Sequence, residues 1–508
     1  MTETSQTGAL ASKIEYKKLT TTAANASRIS ALCDLTISST FVDKIVTVNG
    51  WVQSARKQGQ GLVFVNLNDG TTPKNLQIVI DTSDLSEELA KDVKKLTFSS
   101  SISVTGLVKK HMRYEGLVEM FVNGDSKYRI IIYNIISSSS YPLQKNVISD
   151  EKLRSFQHLR PRVKKFQSVM RIRDRLSHAT HQFFSQRGFY YIHTPLITGA
   201  DCEGAGEMFQ VTTLLPESGE ISKIPQTKDQ KIDYSKDFFS KPVSLTVSGQ
   251  LALENFCLSM GDVYTFGPTF RAEISHTSRH LAEFWMIEPE MAFVELDGLI
   301  EVASAYLKFC VNEVIKHCHD DIQLLEENGS ENLAAFLNQT AQEDFVRLSY
   351  TEAIQILKAI ENPNFKVSPE WGDDLGSEHE RYLTEVHFKK PVIVYNYPYK
   401  LKAFYMKLNQ GEQKGKETVR AMDILVPGIG EIIGGSQREE TIEQLTKQCN
   451  DKNLPIESLQ WYFDLRRYGS IPHSGFGLGF ERLIMLCTGI RNIRDVIPFP
   501  RYVGHAEH

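Results

Sequence analysis

Apolar and polar residues alternate along much of the segment between residues 45 and 136, and this period of two predicts β-strands. One amphipathic helix is predicted at 86–96, between the third and fourth strands. This order of elements is typical of an OB-fold barrel, although another small β-barrel would produce a similar pattern. The predicted strands are 45–55, 62–68, 76–80, 101–109, 117–122 and 129–136.

From residue 166 onward, helical spacing and strand spacing are mixed. A long amphipathic helix is predicted at 167–186, before Gly188, where a glycine commonly ends a helix. No glycine-rich turn of the Rossmann or P-loop type joins a strand to a helix, so the pattern predicts a mostly antiparallel sheet flanked by helices, an α+β fold. The other predicted elements are an extended segment at 189–197, helices at 298–317, 331–342 and 350–360, and strands at 244–248, 262–272, 283–293, 391–395, 403–408, 419–425 and 430–435.

These patterns divide the chain into four segments. They are a polar extension at 1–40, the barrel at 41–138, a hinge at 139–165 and an α+β domain at 166–508. The hinge contains a serine run and several basic residues that could contact a phosphate backbone. A solvated linker between domains is an equally good interpretation of that charge.

Composition excludes several classes of protein. The 508 residues carry a net charge of −5, so any nucleic acid must be bound through local basic patches rather than by a basic coat. No apolar run of about 18 residues predicts a membrane span, and the polar first forty residues lack the apolar stretch of a secretory signal. The seven cysteines include no C-x-x-C pair, which favours buried, reduced thiols over a zinc site and predicts a cytoplasmic location.

Charged residues are concentrated between residues 267 and 290, among several aromatic ones. On a strand, Arg271 and Glu273 share one face, and Glu288 and Glu290 share a face of the returning strand. Fixed charges on a sheet are suited to holding a charged ligand, although an ordinary surface ion pair is the alternative for Arg271 with Glu273.

Two further segments carry candidate chemistry. Glycines alternate with bulky residues at 475–480, so one face of a strand is bare and a flat ligand could approach it, although the glycines could equally serve packing. Arg482 follows in the first turn of a helix, where its charge opposes the helix dipole and a ligand phosphate would relieve the conflict. Asp423 and Glu431 offer oxygen ligands suited to Mg²⁺.

Taken together, these segments resemble the class II aminoacyl-tRNA synthetases of the aspartate, asparagine and lysine subgroup. The long helix with GFYYIHTPLIT is similar to motif 1, FGPTFRAE to motif 2 and GFGLGFERL to motif 3, and the barrel is similar to the anticodon-binding module of the subgroup. The resemblance implies a homodimer formed through motif 1, ATP and Mg²⁺ as cofactors, and a tRNA partner.

Further segments resemble the asparaginyl branch: DCEGAGEMF, LTVSGQL, PGIGEIIGGSQREE and RRYGSIPHSGFGLGFER. Leu253 stands where the aspartyl branch has a lysine, and Glu288 aligns with an aspartate of that branch. Arg438 can donate to an amide oxygen and Glu288 can accept from an amide NH₂, whereas loss of the lysine disfavours an anionic side chain. The resemblance therefore implies L-asparagine as substrate and tRNA(Asn) as partner, with an adenylate as intermediate.

The resemblance also implies roles for individual residues. Arg271 would hold the α-phosphate of ATP, Arg482 the γ-phosphate and Glu273 the adenine side, and these three are the predicted catalytic residues. The other predicted ATP contacts are Arg279, His280, Leu281, Phe284, Glu431 and Gly479. The predicted Mg²⁺ ligands are Asp423 and Glu431, the predicted asparagine contacts are Glu203, Gln250, Glu288 and Arg438, and the predicted anticodon contacts are Phe64, Gln77 and Glu119. From the barrel pattern alone, Phe64 could instead be a core residue.

Three rival interpretations remain at this point. One is an aspartyl-tRNA synthetase, against which Leu253 and Glu288 argue. Another is an asparagine synthetase of the same catalytic fold that uses no tRNA, against which the barrel argues. The third is an inactive relative, which would have lost Arg271, Glu431 or Arg482, and all three are present.

Overall fold

Burial alternates from residue to residue along 62–67 and 76–81, as the alternating sequence pattern predicts. The computed structural model describes residues 25–59, 61–137, 141–143, 149–199, 207–360, 365–454 and 456–507. They form two units, Met1–Ser149 and Asp150–His508. The first contains helices α1 (Ile29–Leu32) and α2 (Glu87–Val93) and strands β1 (Ile45–Gln58), β2 (Leu62–Asn68), β3 (Leu76–Asp81), β4 (Ser101–Lys110), β5 (Val118–Val122) and β6 (Arg129–Asn134).

The strands of the first unit form a closed barrel. Their order is β1-β2-β3-β5-β4-β6, and β1 also pairs with β4, which closes the sheet on itself. Inward-facing Val63, Val65 and Ile78 are buried in the barrel core. Helix α2 begins after Ser86, whose hydroxyl accepts a hydrogen bond from the Leu89 amide, as expected of an N-cap. The predicted OB-type barrel with a helix between the third and fourth strands is confirmed.

The second unit is built on a large sheet. Its strands are β7 (Tyr190–Tyr191), β8 (Ile197–Thr198), β9 (Gln210–Val211), β10 (Val243–Leu245), β11 (Val263–Phe270), β12 (Glu283–Ala292), β13 (Val346–Ser349), β14 (Val392–Pro398), β15 (Thr418–Val426), β16 (Gly430–Gln437) and β17 (His473–Gly479). Within the described residues, eight of them form one sheet in the order β13-β14-β15-β16-β17-β12-β11-β7, and β8, β10 and β9 form a smaller one. The five inner pairings are antiparallel and the two outermost are parallel, which confirms the predicted α+β architecture.

Helices cover this sheet. They are α3 (Asp150–Arg154), α4 (Lys164–Gln186), α5 (Gln250–Met260), α6 (Leu296–His317), α7 (His319–Glu327), α8 (Leu333–Gln342), α9 (Tyr350–Lys358), α10 (Ser377–Arg381), α11 (Ile442–Asp451), α12 (Gln460–Arg467) and α13 (Phe480–Thr488). The long helix α4 buries Ile172, Leu176 and Phe183 in the main core, as its amphipathic pattern predicts. Gly188 follows its end with a φ of 80°, a left-handed conformation that favours glycine.

The segment 189–197, predicted to be extended, holds the two-residue strand β7 and the first residue of β8. Two expectations about strands are wrong. The segment 403–408 is not a strand, because only isolated bridges at Met406 and Leu408 form there. Strand β11 ends at Phe270, so Arg271 and Glu273 lie beyond it rather than on a shared strand face.

Part of the predicted hinge at 139–165 lies outside the described residues, and its later part is described. Residues from Asp150 onward belong to the second unit. There, Arg154 lies 2.8 Å and Arg160 lies 3.6 Å from the Asp495 carboxylate, and Arg160 is almost fully buried. These two arginines are therefore not available to a phosphate backbone.

In the part of the chain that the structure describes, no helix is long and apolar enough to cross a membrane. The six described cysteines are buried, as predicted.

Candidate active site

Strands β12, β17, β16 and β15 form the floor of the candidate site. Register places Glu290 beside Gly475, Gly475 beside Ser436, and Ser436 beside Ala421. Side chains in one such row point to the same side of the sheet, as do alternate residues along each strand. Met286, Glu288 and Glu290 therefore line one face of β12, next to the three glycines of β17.

The glycines of β17 are bare for two different reasons. A Cβ added at Gly475 would overlap the Glu290 carboxylate, and one at Gly477 would lie 2.9 Å from the Met286 methyl group. At Gly479 the nearest atoms, in the Arg482 side chain, are 3.9 Å away. Packing thus explains Gly475, whereas Gly479 leaves space that a flat ligand can occupy.

A cavity of about 210 Å³ opens above this end of the sheet. It is lined by the segment after β11, the start of β12, the turn into β16 and the junction of β17 with α13. All nine residues that the sequence assigns to ATP line it, together with five more. The full lining is Arg271, Glu273, Arg279, His280, Leu281, Phe284, Met286, Glu431, Ile432, Gly477, Gly479, Glu481, Arg482 and Ile493.

Two arginines bring positive charge to the cavity. The Arg271 guanidinium lies 5.5 Å from the centre of the Phe284 ring and 3.9 Å from the Glu273 carboxylate. Arg482, in the first turn of α13, donates a hydrogen bond of 2.6 Å to the Glu431 carbonyl. Because the N-terminus of a helix and an arginine are both electropositive, this corner is suited to phosphate groups.

The loop between β11 and β12 is held by polar contacts. The His280 Nδ1 atom lies 2.5 Å from the Thr277 hydroxyl and 3.0 Å from the Ser275 hydroxyl. Arg279 donates a hydrogen bond of 3.2 Å to the Ser377 hydroxyl at the start of α10. The loop therefore contacts α10 across the cavity.

Carboxylates gather beside Arg482. The position that a Cβ on Gly434 would take lies 3.0 Å from a Glu431 carboxylate oxygen and 3.3 Å from one of Asp423, so a bare backbone brings these two side chains together. Burial raises the pKa of Asp423 to about 6, an effect that Glu431 increases and Lys402, 2.7 Å away, opposes. Burial, with Glu431 and Asp423, also raises the pKa of Glu380 to about 7. Glu380 and Lys402 are absent from the sequence-based assignment, since no motif marks either position.

This cluster fits a divalent cation. Negative charge outweighs the ammonium of Lys402, and Asp423 and Glu431 present adjacent oxygen ligands. Among the described residues, no group of three potential metal ligands is present. Two carboxylates are nevertheless a common complement for Mg²⁺, which keeps several waters and takes further ligands from substrate phosphates.

The predicted asparagine contacts lie further along the same face of β12. Glu288 accepts hydrogen bonds from the Ser248 hydroxyl and, at 2.9 Å, from the Gly249 amide, and it lines a neighbouring cavity of about 250 Å³. Buried Arg438 forms an ion pair with Glu290 and donates to the Ser436 hydroxyl at 2.8 Å. These contacts use three of its five N–H groups, which leaves donors for an amide oxygen.

Two further positions that the sequence assigns to asparagine recognition, Gln250 and Leu253, lie on α5. Gln250, the first residue of α5, donates to the Glu254 carboxylate at 3.1 Å. Leu253 packs against Cys257 and Val263 in a small apolar cluster and does not line either cavity. Glu203 lies outside the described residues.

In the first unit, the predicted anticodon contacts share the outer face of neighbouring strands. Phe64 alternates with Val63 and Val65 and is not part of the barrel core, which excludes the alternative of a core phenylalanine. The Arg56 guanidinium lies 5.3 Å from the centre of its ring. Gln77 donates a hydrogen bond of 2.7 Å to Glu119 on the adjacent strand β5.

Comparisons with known proteins agree with this geometry. The family model for class II tRNA synthetases (D, K and N) matches residues 149–503, and the model for the OB-fold nucleic acid binding domain matches residues 46–134. The chain is 49% identical to the asparagine–tRNA ligase of Cytophaga hutchinsonii over 93% of this chain and 98% of that protein. It is 48% identical to that of a Nostoc species over 92% and 96%.

Solved structures show the same likeness. The crystal structure of asparaginyl-tRNA synthetase from Pyrococcus horikoshii complexed with asparaginyl-adenylate has a TM-score of 0.77 and 32% identity, over 92% of this chain and 97% of that one. The asparaginyl-tRNA synthetase of Entamoeba histolytica, also in complex with asparaginyl-adenylate, has a TM-score of 0.74 and 26% identity, over 92% and 97%.

Proposed function

The chain belongs to the asparagine–tRNA ligase family of class II synthetases, and we propose that the cavity between Arg271 and Arg482 is where it activates asparagine with ATP. The family's reaction joins asparagine to AMP, releases diphosphate and then transfers the asparaginyl group to tRNA. The observation that carries the assignment of the site is that one cavity collects all nine residues assigned to ATP from segments more than 200 residues apart.

In this proposal, ATP lies with its adenine between Phe284 and Gly479. The ring of Phe284 provides a stacking surface, and the bare position at Gly479 accepts the other face of the base. Arg271 contacts the α-phosphate and Arg482 the γ-phosphate, at opposite ends of the triphosphate. Such fixed charges stabilise the charge that develops as the asparagine carboxylate attacks the α-phosphorus. No protein nucleophile is needed, because positioning supplies much of the rate.

Asparagine lies next to the α-phosphate along β12. Arg438 donates to the side-chain amide oxygen and Glu288 accepts from the amide NH₂, while Gln250 and Glu203 accept from the α-ammonium. Glu288 keeps its carboxylate in this part of the site, where it accepts hydrogen bonds from the Ser248 hydroxyl and the Gly249 amide. An aspartate side chain would be repelled there, which is the basis for discrimination against it.

Asp423 and Glu431 would hold Mg²⁺. The ion would neutralise charge on the phosphates of ATP and on the leaving diphosphate. The chain's own contribution is the pair of adjacent carboxylates over Gly434, with Lys402 fixing Asp423 in place.

The barrel is the proposed site for the tRNA anticodon. Phe64 supplies a partly exposed ring for stacking on an unpaired base, and Gln77 and Glu119 supply polar edges beside it. Arg56 brings a positive charge to the same face, and tRNA(Asn) is the proposed partner.

A homodimer is proposed through the motif 1 region. Tyr190 lies on the edge strand β7, and Leu196 and Ile197 follow it in the chain; all three side chains are at least 40% exposed. Exposed apolar side chains next to a sheet edge are typical of an interface with another chain. We place the protein in the cytoplasm, a reducing compartment that suits its scattered, buried cysteines.

Substitution of Arg482 tests the assignment of the site. We expect Arg482→Ala to reduce asparagine-dependent ATP–diphosphate exchange at least 100-fold, a loss typical of removing one donor from a charge-stabilising site. Arg347→Ala, which removes an arginine paired with Asp297 on the protein surface, is the matched control. Equal activity of the two variants would overturn the assignment.

A further inference from the structure

Glu254 is a fully buried carboxylate to which the reaction assigns no role. It lies on α5, and its Oε2 atom accepts hydrogen bonds from the Tyr462 hydroxyl at 2.7 Å and from Arg466 at 2.9 Å. The His473 Nε2 atom lies 3.1 Å from the same oxygen. A buried carboxylate is costly unless it is paired in this way.

The second oxygen of Glu254 contacts Gln250, the residue proposed to bind the α-ammonium group. Its Oε1 atom accepts the hydrogen bond of 3.1 Å from Gln250 Nε2, one helical turn earlier. Because an ionised carboxylate can only accept, Gln250 must turn its NH₂ group toward Glu254. The carbonyl oxygen on the other branch of the Gln250 amide then points away from Glu254.

That orientation is the one an ammonium ligand requires. An α-ammonium group can only donate hydrogen bonds, so it binds an amide through the oxygen and is repelled by the NH₂ group. If the Gln250 amide could rotate freely, its NH₂ group rather than its oxygen would face the ammonium group part of the time. Fixing it in advance removes that cost at the moment of binding.

We propose that Glu254, held by Arg466, is a positioning residue that orients the Gln250 amide so that its oxygen receives the α-ammonium of asparagine. This inference rests on the proposed role of Gln250 in binding that group. It extends the site to α12, since Arg466 and Tyr462 then support amino-acid recognition without touching the substrate.

The charge of Glu254 is stable enough for such a role. Burial raises its pKa, but Arg466, His473 and Arg438 together bring the pKa below its ordinary value. Arg466 is itself held by a hydrogen bond of 3.0 Å to the Glu439 carbonyl and by one of 2.8 Å to the Tyr462 hydroxyl. Glu254 therefore remains an acceptor across the working pH range.

The test compares asparagine with succinamic acid, which is asparagine without its α-amino group. In the full-length protein, we expect Glu254→Gln to raise KM for asparagine in ATP–diphosphate exchange about tenfold, the effect of a weakened hydrogen bond to a charged group. Its kcat and its KM for ATP should change little. Inhibition by succinamic acid should be unchanged, because this ligand lacks the group that Gln250 reads.

Two further variants separate positioning from folding. Glu254→Met combined with Arg466→Met removes both buried charges together, which is far less destabilising than leaving one unpaired. This double variant should show the same selective loss of asparagine binding. Glu313→Gln, which removes a carboxylate near Arg175 on α4, should leave both ligands unaffected.

The Gln250→Ala variant distinguishes a failure of the positioning role of Glu254 from a failure of the proposed role of Gln250. If it weakens asparagine selectively while the Glu254 variants weaken both ligands equally, or neither, the positioning role is overturned and the role of Gln250 stands. If Gln250→Ala affects both ligands equally, the proposed role of Gln250 is overturned, and the positioning role with it.

Discussion

At the residue scale, the site depends on close contacts that only particular side chains permit. Gly475 lies beside Glu290, and the Glu290 carboxylate occupies the space that any side chain at position 475 would take. That carboxylate in turn holds Arg438. The absence of a side chain at Gly475 thus lets Glu290 hold Arg438, which lies just after β16, in its position.

This arrangement predicts the effect of Gly475→Ala. The added methyl group must displace Glu290 from Arg438, so we expect KM for asparagine to rise at least tenfold and stability to fall by about 1–3 kcal/mol, the usual cost of overpacking. Exchange kinetics and denaturant unfolding measure the two effects.

The control for this prediction is Gly298→Ala in α6. There the nearest atom is Val294 Cγ1 at 3.0 Å rather than a buried carboxylate, and alanine favours a helix over glycine. We expect unchanged kinetics and equal or higher stability. Normal kinetics in Gly475→Ala would contradict the proposed link between Glu290 and Arg438.

Individual site residues could be predicted from the sequence where they lie in or beside a motif, and not elsewhere. The proposed ATP contacts lie within or beside compact motifs, where resemblance assigns each position, and the structure brings these residues to one cavity. Glu254 and Arg466 are 212 positions apart and meet only in the folded protein. Glu380 and Lys402 also lie outside any motif, so their positions beside Asp423 could not be predicted.

At the element scale, the barrel presents Phe64 on a surface rather than in its core. Alternation along β2 decides this, because Val63 and Val65 face inward. The sequence showed the alternation but could not show which of its two sets faced the core, since both contain apolar residues. The folded barrel settles which set faces inward, because Val63 and Val65 are buried in its core.

Phe64→Ala should separate the two halves of the reaction. We expect weaker tRNA charging, with kcat/KM for tRNA reduced at least tenfold, because stacking on a base contributes about 1–3 kcal/mol. Adenylate formation, measured by ATP–diphosphate exchange, should be unchanged because it takes place in the other unit.

Tyr133→Ala is the matched control, since it removes an exposed aromatic side chain from β6, which pairs with β4 on the far side of the barrel. Its charging should be close to normal. Loss of exchange and charging together in Phe64→Ala would contradict the separation of roles.

Most long inner strands of the second unit were predicted, whereas the short strands β9 and β13 were not. β11, β12, β15 and β16 were expected close to their observed bounds. The segment 403–408 has strand-like composition, but its backbone forms only isolated bridges. Local pattern cannot detect this, because the pairing partner decides whether a strand forms.

At the scale of the whole molecule, the exposed apolar residues on and after the edge strand β7 predict a dimer. We expect sedimentation to give a mass twice the 57.6 kDa of one chain. Leu196→Glu should give a single chain, because it introduces a charge into the proposed interface.

Val386→Glu changes another exposed apolar residue of the same unit and should not alter the mass. A wild-type protein that sediments as a single chain would contradict the dimer. Equal masses for the two variants would place the interface elsewhere.

The most direct test of the central claim is ATP–diphosphate exchange with purified protein and no tRNA, measured separately with asparagine, aspartate and lysine. Glu288 and Arg438 predict exchange with asparagine and at least 100-fold lower kcat/KM with aspartate, because the Glu288 carboxylate accepts from an amide NH₂ group and repels a second carboxylate. Lysine should give no exchange. Comparable exchange with aspartate would contradict this account of the amino-acid site.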